Sequence, residues 1–246
     1  MTAPALVALA CAPDDRAAAT LREIVATTRR LRPDLQVAAA VTARSGGDLP
    51  RVVSRLAAQG SEEIVVVPLL VALPDPSELD VVAVVDEAAH LNPGVLVRVT
   101  APVGPDAALL TVLDERLRTA LSTAKARELD ALVLVATGSS DLRLTTSVTR
   151  LARLWSARHH LPTSIAFANT TPPSTGEAVR EWRRKGKRHV AVGSLFILSG
   201  PHARRAAELA LEAGAQAVSA PLGAHQELSR LIVSRYVVGA LELVPF

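Results

Sequence analysis

The sequence predicts an α/β protein of two similar halves, each a parallel sheet flanked by helices, with a cleft between the halves. Three observations carry that expectation. Apolar runs of strand length alternate with segments whose apolar residues recur at helical spacing. Those segments are separated by turns rich in Gly, Pro and Asp. The order of runs and turns then restarts: Ala5-Leu6-Val7 returns as Ala131-Leu132-Val133, and Ala101-Pro102-Val103-Gly104 as Ala220-Pro221-Leu222-Gly223. Alternating strands and helices predict a parallel sheet with helices on both faces, and self-similarity along a chain marks related units. The two halves are expected at residues 1–125 and 126–246.

In the first half, Ala5 to Ala10 reads as a strand, and an Asp in the loop 11–15 is placed to cap a helix. Residues 16–31 carry Leu21, Ile24, Val25 and Leu31 at helical spacing, and Arg32-Pro33-Asp34 stops that helix. Val37 to Val41 is a second strand. Leu49 to Gln59 is a helix with Pro50 in its first turn and Gly60 at its stop. Ile64 to Val71 is a strand, Ser77 to Leu91 a helix, Val95 to Thr100 a strand and Pro105 to Lys125 a helix. In the second half, strands are expected at 131–135, 164–167, 190–198 and 217–220. Helices are expected at 144–157, 174–185, 203–213 and 226–236.

Composition narrows the class. Hydrophobic residues make up 49% of the 246, ample for a core. Phe167, Phe196, Phe246, Trp155, Trp182 and Tyr236 are the whole aromatic complement, so Ala, Val and Leu must build that core. So few stacking platforms argue against single-stranded nucleic-acid binding. No apolar run reaches the ~18 residues of a membrane span, and Met1-Thr2-Ala3-Pro4 lacks the basic start of a signal peptide. A single cysteine, Cys11, permits no internal disulfide and fits a reducing compartment. A cytoplasmic protein, monomeric or homodimeric, without nucleic-acid or membrane partners, is the expectation. The charge of +3 and pI of about 9.6 are compatible with a polyanionic ligand.

Ligands of open parallel sheets sit beyond the carboxyl ends of the strands. The run from Val190 to Leu198 ends in Ser199-Gly200-Pro201-His202, which places a histidine at such an end. Its counterpart in the first half is the run from Ile64 into Pro74-Asp75-Pro76.

With Val66-Val67-Pro68-Leu69-Leu70-Val71, Ala136-Thr137-Gly138-Ser139, Ser194-Leu195-Phe196-Ile197 and Pro221-Leu222-Gly223-Ala224-His225 in this order, the chain resembles the sirohydrochlorin chelatases of the CbiX type, in the class II chelatase group. The resemblance covers nearly the whole length, in the two-domain form of that family. It implies insertion of Fe²⁺ or Co²⁺ into a tetrapyrrole for sirohaem or cobalamin synthesis, with no organic cofactor. It further implies two histidines, one at each of two turns, that ligate the metal and take up pyrrole protons. Imidazole suits both tasks. Carried over residue by residue, the first position holds Cys11 in one half and Thr137 in the other. The second holds Pro76 or His202.

Two readings follow. In one, metal insertion persists with His202 as base and ligand and the Cys11 thiolate as second ligand. In the other, the fold survives as a non-catalytic binder of tetrapyrrole or metal. Beside both stands the reading of Cys11 as a small buried residue at a strand end, the commoner case for a lone cysteine. Substrate contacts are expected from Ser139, Ser140 and the helix start after them, from Arg143, Arg204 and Arg44 to carboxylates, and from an apolar slot including Leu70, Val71, Leu73, Phe196, Ile197 and Leu198. His159-His160, His90 and His225 read as structural. The basic run from Arg183 to His189 reads as a solvated helix end on the amino-end rim.

Overall fold

The computed structural model describes residues 3–12, 14–43, 46–71, 80–138, 142–169 and 171–243. The chain divides into two compact units, Met1–Val103 with Gly223–Phe246, and Gly104–Leu222.

The first unit contains β1 (Ala5–Ala10), α1 (Asp15–Leu31), β2 (Val37–Ala43), β3 (Gly46–Gly47), α2 (Leu49–Ala58), β4 (Glu63–Pro68), α3 (Val81–His90) and β5 (Leu96–Val99). Its sheet runs β3-β2-β1-β4-β5. The four longer strands are parallel, and β3 pairs antiparallel with β2. All six residues of β1 are buried, as expected of a central strand covered on both faces. Asp14 caps α1, its Oδ1 accepting from the Ala17 amide at 2.9 Å. Leu21, Ile24, Val25 and Thr28 then form one buried stripe.

The second unit contains α4 (Leu109–Thr123), β6 (Ala131–Ala136), α5 (Leu142–His159), β7 (Thr163–Phe167), α6 (Thr175–Arg184), β8 (Val190–Ser194), α7 (Pro201–Glu212) and β9 (Ala217–Val218). Its all-parallel sheet runs β7-β6-β8-β9. The order repeats that of β2-β1-β4-β5, so the two units share one topology. A capping box opens α6: the Ser174 side chain accepts from the Glu177 amide while the Glu177 carboxylate accepts from the Ser174 amide.

The units cut the chain differently from the sequence halves 1–125 and 126–246. The last helix of the first half, α4, belongs to the second unit, and the last helix of the chain, α8 (Gln226–Leu241), belongs to the first. Both crossings fall inside the repeated turn, between Val103 and Gly104 and between Leu222 and Gly223. In the first unit α8 packs on α1 and β4. The Thr28 hydroxyl donates to Ser229 Oγ at 3.2 Å, and the Tyr236 hydroxyl to the Pro4 carbonyl at 2.8 Å. A Cβ at Gly239 would stand 2.7 Å from Thr100 and 2.8 Å from Val65, so a side chain there would push the helix off the sheet. In the second unit α4 buries Leu109, Val112, Leu113 and Leu117 and packs on β8 and β9.

Several element boundaries differ from the expectation; β4 stops at Pro68 rather than Val71 and α4 starts at Leu109 rather than Pro105, and three others bear on the site or the packing. Strand β8 stops at Ser194 rather than Leu198: its register with β9 covers only Ala191 and Val192, and its register with β6 ends at Ser194. Helix α7 begins at Pro201, whose fixed φ suits the first helical position. Helix α8 runs on to Leu241, with Gly239 allowing the close approach just described.

Candidate functional site

The carboxyl ends of β6, β7 and β8 bring together the polar groups of the second unit. Beyond β6 the chain passes Thr137 and Gly138. Beyond β7 it passes Ala168, Asn169 and Thr171, and beyond β8 it reaches Ser199 and His202. The Ala168 amide donates to the Ala136 carbonyl at 3.0 Å, which holds the loop after β7 against β6. Asn169 Nδ2 donates to the Gly138 carbonyl at 2.9 Å, and Asn169 Oδ1 accepts from the Thr171 amide at 3.2 Å. A Cβ on Gly138 would lie 2.1 Å from Asn169 Oδ1, so this approach requires glycine.

His202 stands in the first turn of α7, exposed, with Nδ1 3.4 Å from the Ala168 carbonyl oxygen. A carbonyl oxygen only accepts, so Nδ1 carries the proton in this contact. The other ring nitrogen, Nε2, makes no hydrogen bond among the described residues and keeps its lone pair in the neutral ring. A histidine with one nitrogen held by a carbonyl and the other free is the usual form of a metal-binding or basic imidazole. Three residues earlier, the Ser199 hydroxyl oxygen is buried and has no hydrogen-bond partner among the described residues.

The other expected site residues are distributed as follows. Cys11 directly follows β1 in the first unit, whereas His202 belongs to the second. Cys11 is exposed as a residue, yet partial burial pushes its thiol above the ordinary range, which favours the protonated form. Ser139 and Ser140, like Arg44, Leu73 and Pro76, lie outside the described residues. Arg143 is exposed at the start of α5, and its carbonyl accepts from the Ser147 hydroxyl at 2.9 Å. Arg204 is exposed in the first turns of α7. Phe196 is half-buried and packs against the core of the second unit. Leu70 does the same in the first unit, and Val71 and Ile197 are buried. Among the described residues no three His, Cys, Asp or Glu side chains are grouped to hold a metal.

Three of the other histidines are placed as follows. His225 caps α8, its Nδ1 accepting from the Glu227 amide at 3.1 Å. His159 Nε2 donates to Asp114 Oδ1 at 2.7 Å. His90 is exposed in the last turn of α3. The basic run is ion-paired at the end of α6: Arg184 and Lys185 reach Glu181 at 2.7 and 3.3 Å.

Two features escaped the sequence reading. Asn169 is one, and an Asn just beyond a strand, followed by Thr-Thr-Pro-Pro, is the turn signal that marks it. Asp114 is the other. It has no local signal, because its partners Trp155, Arg158 and His159 lie on α5.

Two repeated sheets of order 2-1-3-4, helices on both faces and polar groups beyond the strand ends define the α/β fold of the tetrapyrrole chelatases. SirB of Bacillus subtilis, solved with Fe³⁺, superposes over 96% of this chain and 96% of its own, with a TM-score of 0.68 at 18% identity. The sirohydrochlorin chelatase SirB of Bacillus subtilis subspecies spizizenii, in complex with cobalt, matches 98% of this chain and 97% of its own, with a TM-score of 0.71 at 17% identity. CbiX, described as the terminal enzyme of sirohaem biosynthesis in denitrifying bacteria, matches 99% of this chain and 100% of its own, at 0.65 and 18%. At these identities the likeness is one of fold. The sequence profile of the CbiX family matches residues 10–120 and 131–237, so the chain belongs to the CbiX family. A curated relative, the sirohydrochlorin cobaltochelatase of Priestia megaterium, is 24% identical over 154 residues, which cover 62% of this chain and 50% of that protein. The aligned part thus spans half the length of that relative.

Proposed function

We propose that the protein inserts a divalent metal, Fe²⁺ or Co²⁺, into sirohydrochlorin or a closely related tetrapyrrole, with His202 as the group that meets metal and ring. Family membership and the relative's cobaltochelatase activity support the reaction class. The observation that carries the residue assignment is the contact of His202 Nδ1 with the Ala168 carbonyl, which leaves Nε2 free at a strand-end position. As the metal enters, the macrocycle gives up two pyrrole protons. A neutral imidazole nitrogen accepts one of them or ligates the incoming ion before transfer. Arg143 and Arg204 are proposed to pair with the ring's carboxylates, and Ser139 and Ser140 to add hydrogen bonds. The metal and the tetrapyrrole are both substrates, and the chemistry needs no organic cofactor. We place the reaction in the cytoplasm, in sirohaem or cobalamin synthesis. Among the described residues no helix is long and apolar enough to cross a membrane.

Cys11 is proposed as a second metal ligand that acts as thiolate. Its raised thiol range weakens that role near neutral pH. This weakness, with the absence of a grouped ligand set among the described residues, favours a second reading in which the protein binds tetrapyrrole or metal without inserting it. Absorbance spectroscopy of purified protein with sirohydrochlorin and Co²⁺ or Fe²⁺ separates the two. Metallation faster than with metal and ring alone supports insertion. Spectral binding without acceleration supports the binder.

A further inference from the structure

The loop after β7 has a support that reaches the imidazole at one remove. Ala168, whose carbonyl faces His202 Nδ1, is the residue before Asn169. The Asn169 side chain uses both ends of its amide: Nδ2 donates to the Gly138 carbonyl at 2.9 Å, and Oδ1 accepts from the Thr171 amide at 3.2 Å. One side chain therefore ties the loop after β6 to the loop after β7 and closes the latter on itself. Gly138 admits this tie because it lacks a Cβ, which would meet Asn169 Oδ1 at 2.1 Å and Thr171 Oγ1 at 2.5 Å. On the other side, the Ala168 and Phe167 amides are spent on the Ala136 and Pro173 carbonyls, at 3.0 and 2.9 Å. The Ala168 carbonyl is thus fixed from before and behind.

We infer that Asn169 is a positioning residue: it holds the Ala168 carbonyl where it keeps His202 protonated on Nδ1 and free on Nε2. An unconstrained neutral imidazole favours the opposite tautomer, so the loop must supply the preference. The inference rests on the proposed role of His202 for its importance to turnover, but not for its structural content. Residues that orient a ligating histidine through its far nitrogen are worth about 10–100-fold in metal affinity or activity. Both Asn169→Ala and Asn169→Asp remove the donor to Gly138.

The test is the tautomer of His202, read from ¹⁵N chemical shifts and couplings of the imidazole at a pH where the ring is neutral. The wild-type protein is expected to show His202 mainly as the Nδ1–H form, and Asn169→Ala mainly as the Nε2–H form. Gly138→Ala provides a second route, since its methyl group displaces the Asn169 side chain without altering it, and the same reversal is expected. Far-ultraviolet circular dichroism identifies any variant that fails to fold, and the other variant then decides. A His202 that stays Nδ1–H in a folded variant overturns the inference. Measuring metallation of sirohydrochlorin by the same proteins separates this outcome from the functional reading. A reversed tautomer in the variants, with no insertion activity even in the wild type, upholds Asn169 and removes the chelatase. An unmoved tautomer alongside His202-dependent turnover does the opposite.

Discussion

The indole Nε1 of Trp155 donates to Asp114 Oδ1 at 2.7 Å, and this bond ties α4 into the second unit. Trp155 is fully buried, Asp114 nearly so, and the same carboxylate accepts from His159 Nε2 and pairs with Arg158 at 3.2 Å. An acidic side chain on the last helix of the first sequence half is thereby committed to a unit made mostly from the second.

Asp114→Ala leaves the Trp155 N–H buried without an acceptor, which costs about 1–3 kcal/mol. Asp114→Asn keeps a carbonyl acceptor for the indole and is expected to lose less. Urea denaturation followed by Trp fluorescence measures both. Equal midpoints for the wild type and Asp114→Ala would mean that the apolar face of α4 suffices without the network.

Gly193 on β8 sits under the same indole. A Cβ there would stand 2.5 Å from Trp155 Cη2 and 3.2 Å from Leu113 Cδ1. Gly193→Ala is therefore expected to destabilise by about 1–3 kcal/mol through overpacking. A thermal midpoint equal to that of the wild type would show that the ring has room to shift.

Asp130 receives the amides of His189 and Arg188 at 2.9 and 2.8 Å, and these bonds lower its carboxyl below the ordinary 3.8. A carboxyl whose folded value is depressed stabilises the fold above its unfolded value. That contribution is lost as the pH falls through the folded value. The stability gap between the wild type and Asp130→Asn should thus be full at pH 6 and shrink steadily below about 3.8. A gap that does not change across this acid range contradicts the assignment.

Burial raises the Cys11 thiol, so any metal bond it makes must displace a proton. The effect of Cys11→Ser on metal affinity is expected to be small near pH 7 and to grow toward pH 9. Titration with Co²⁺ at several pH values, followed by the charge-transfer absorbance of a Co²⁺–thiolate bond, measures this. Wild type and Cys11→Ser behaving alike at pH 9 would remove Cys11 from the set of metal ligands.

The fold was legible because its signals are local. Runs such as Ala5–Ala10 and Ala131–Ala136 are apolar throughout, and each is an inner strand of its sheet. Stops such as Gly60, Gly186 and Gly214 take the positive φ that ends a helix. The exchange of α4 and α8 was not legible, because apolar stripes such as Leu109, Val112 and Leu113 specify that a helix is buried and not which sheet it covers. Strand β3 was missed because two glycines carry no alternation. His202 was legible as a strand-end histidine, but the clamp on it was not: Asn169 and Gly138 meet only when β7 lies beside β6.

The proposal that His202 meets the metal and the ring is tested most directly by the rate at which the purified protein inserts Co²⁺ into sirohydrochlorin, compared with His202→Ala. The account predicts that the wild type outpaces metal and ring alone, and that the folded variant falls to that uncatalysed rate. Turnover unchanged by loss of the imidazole would contradict it.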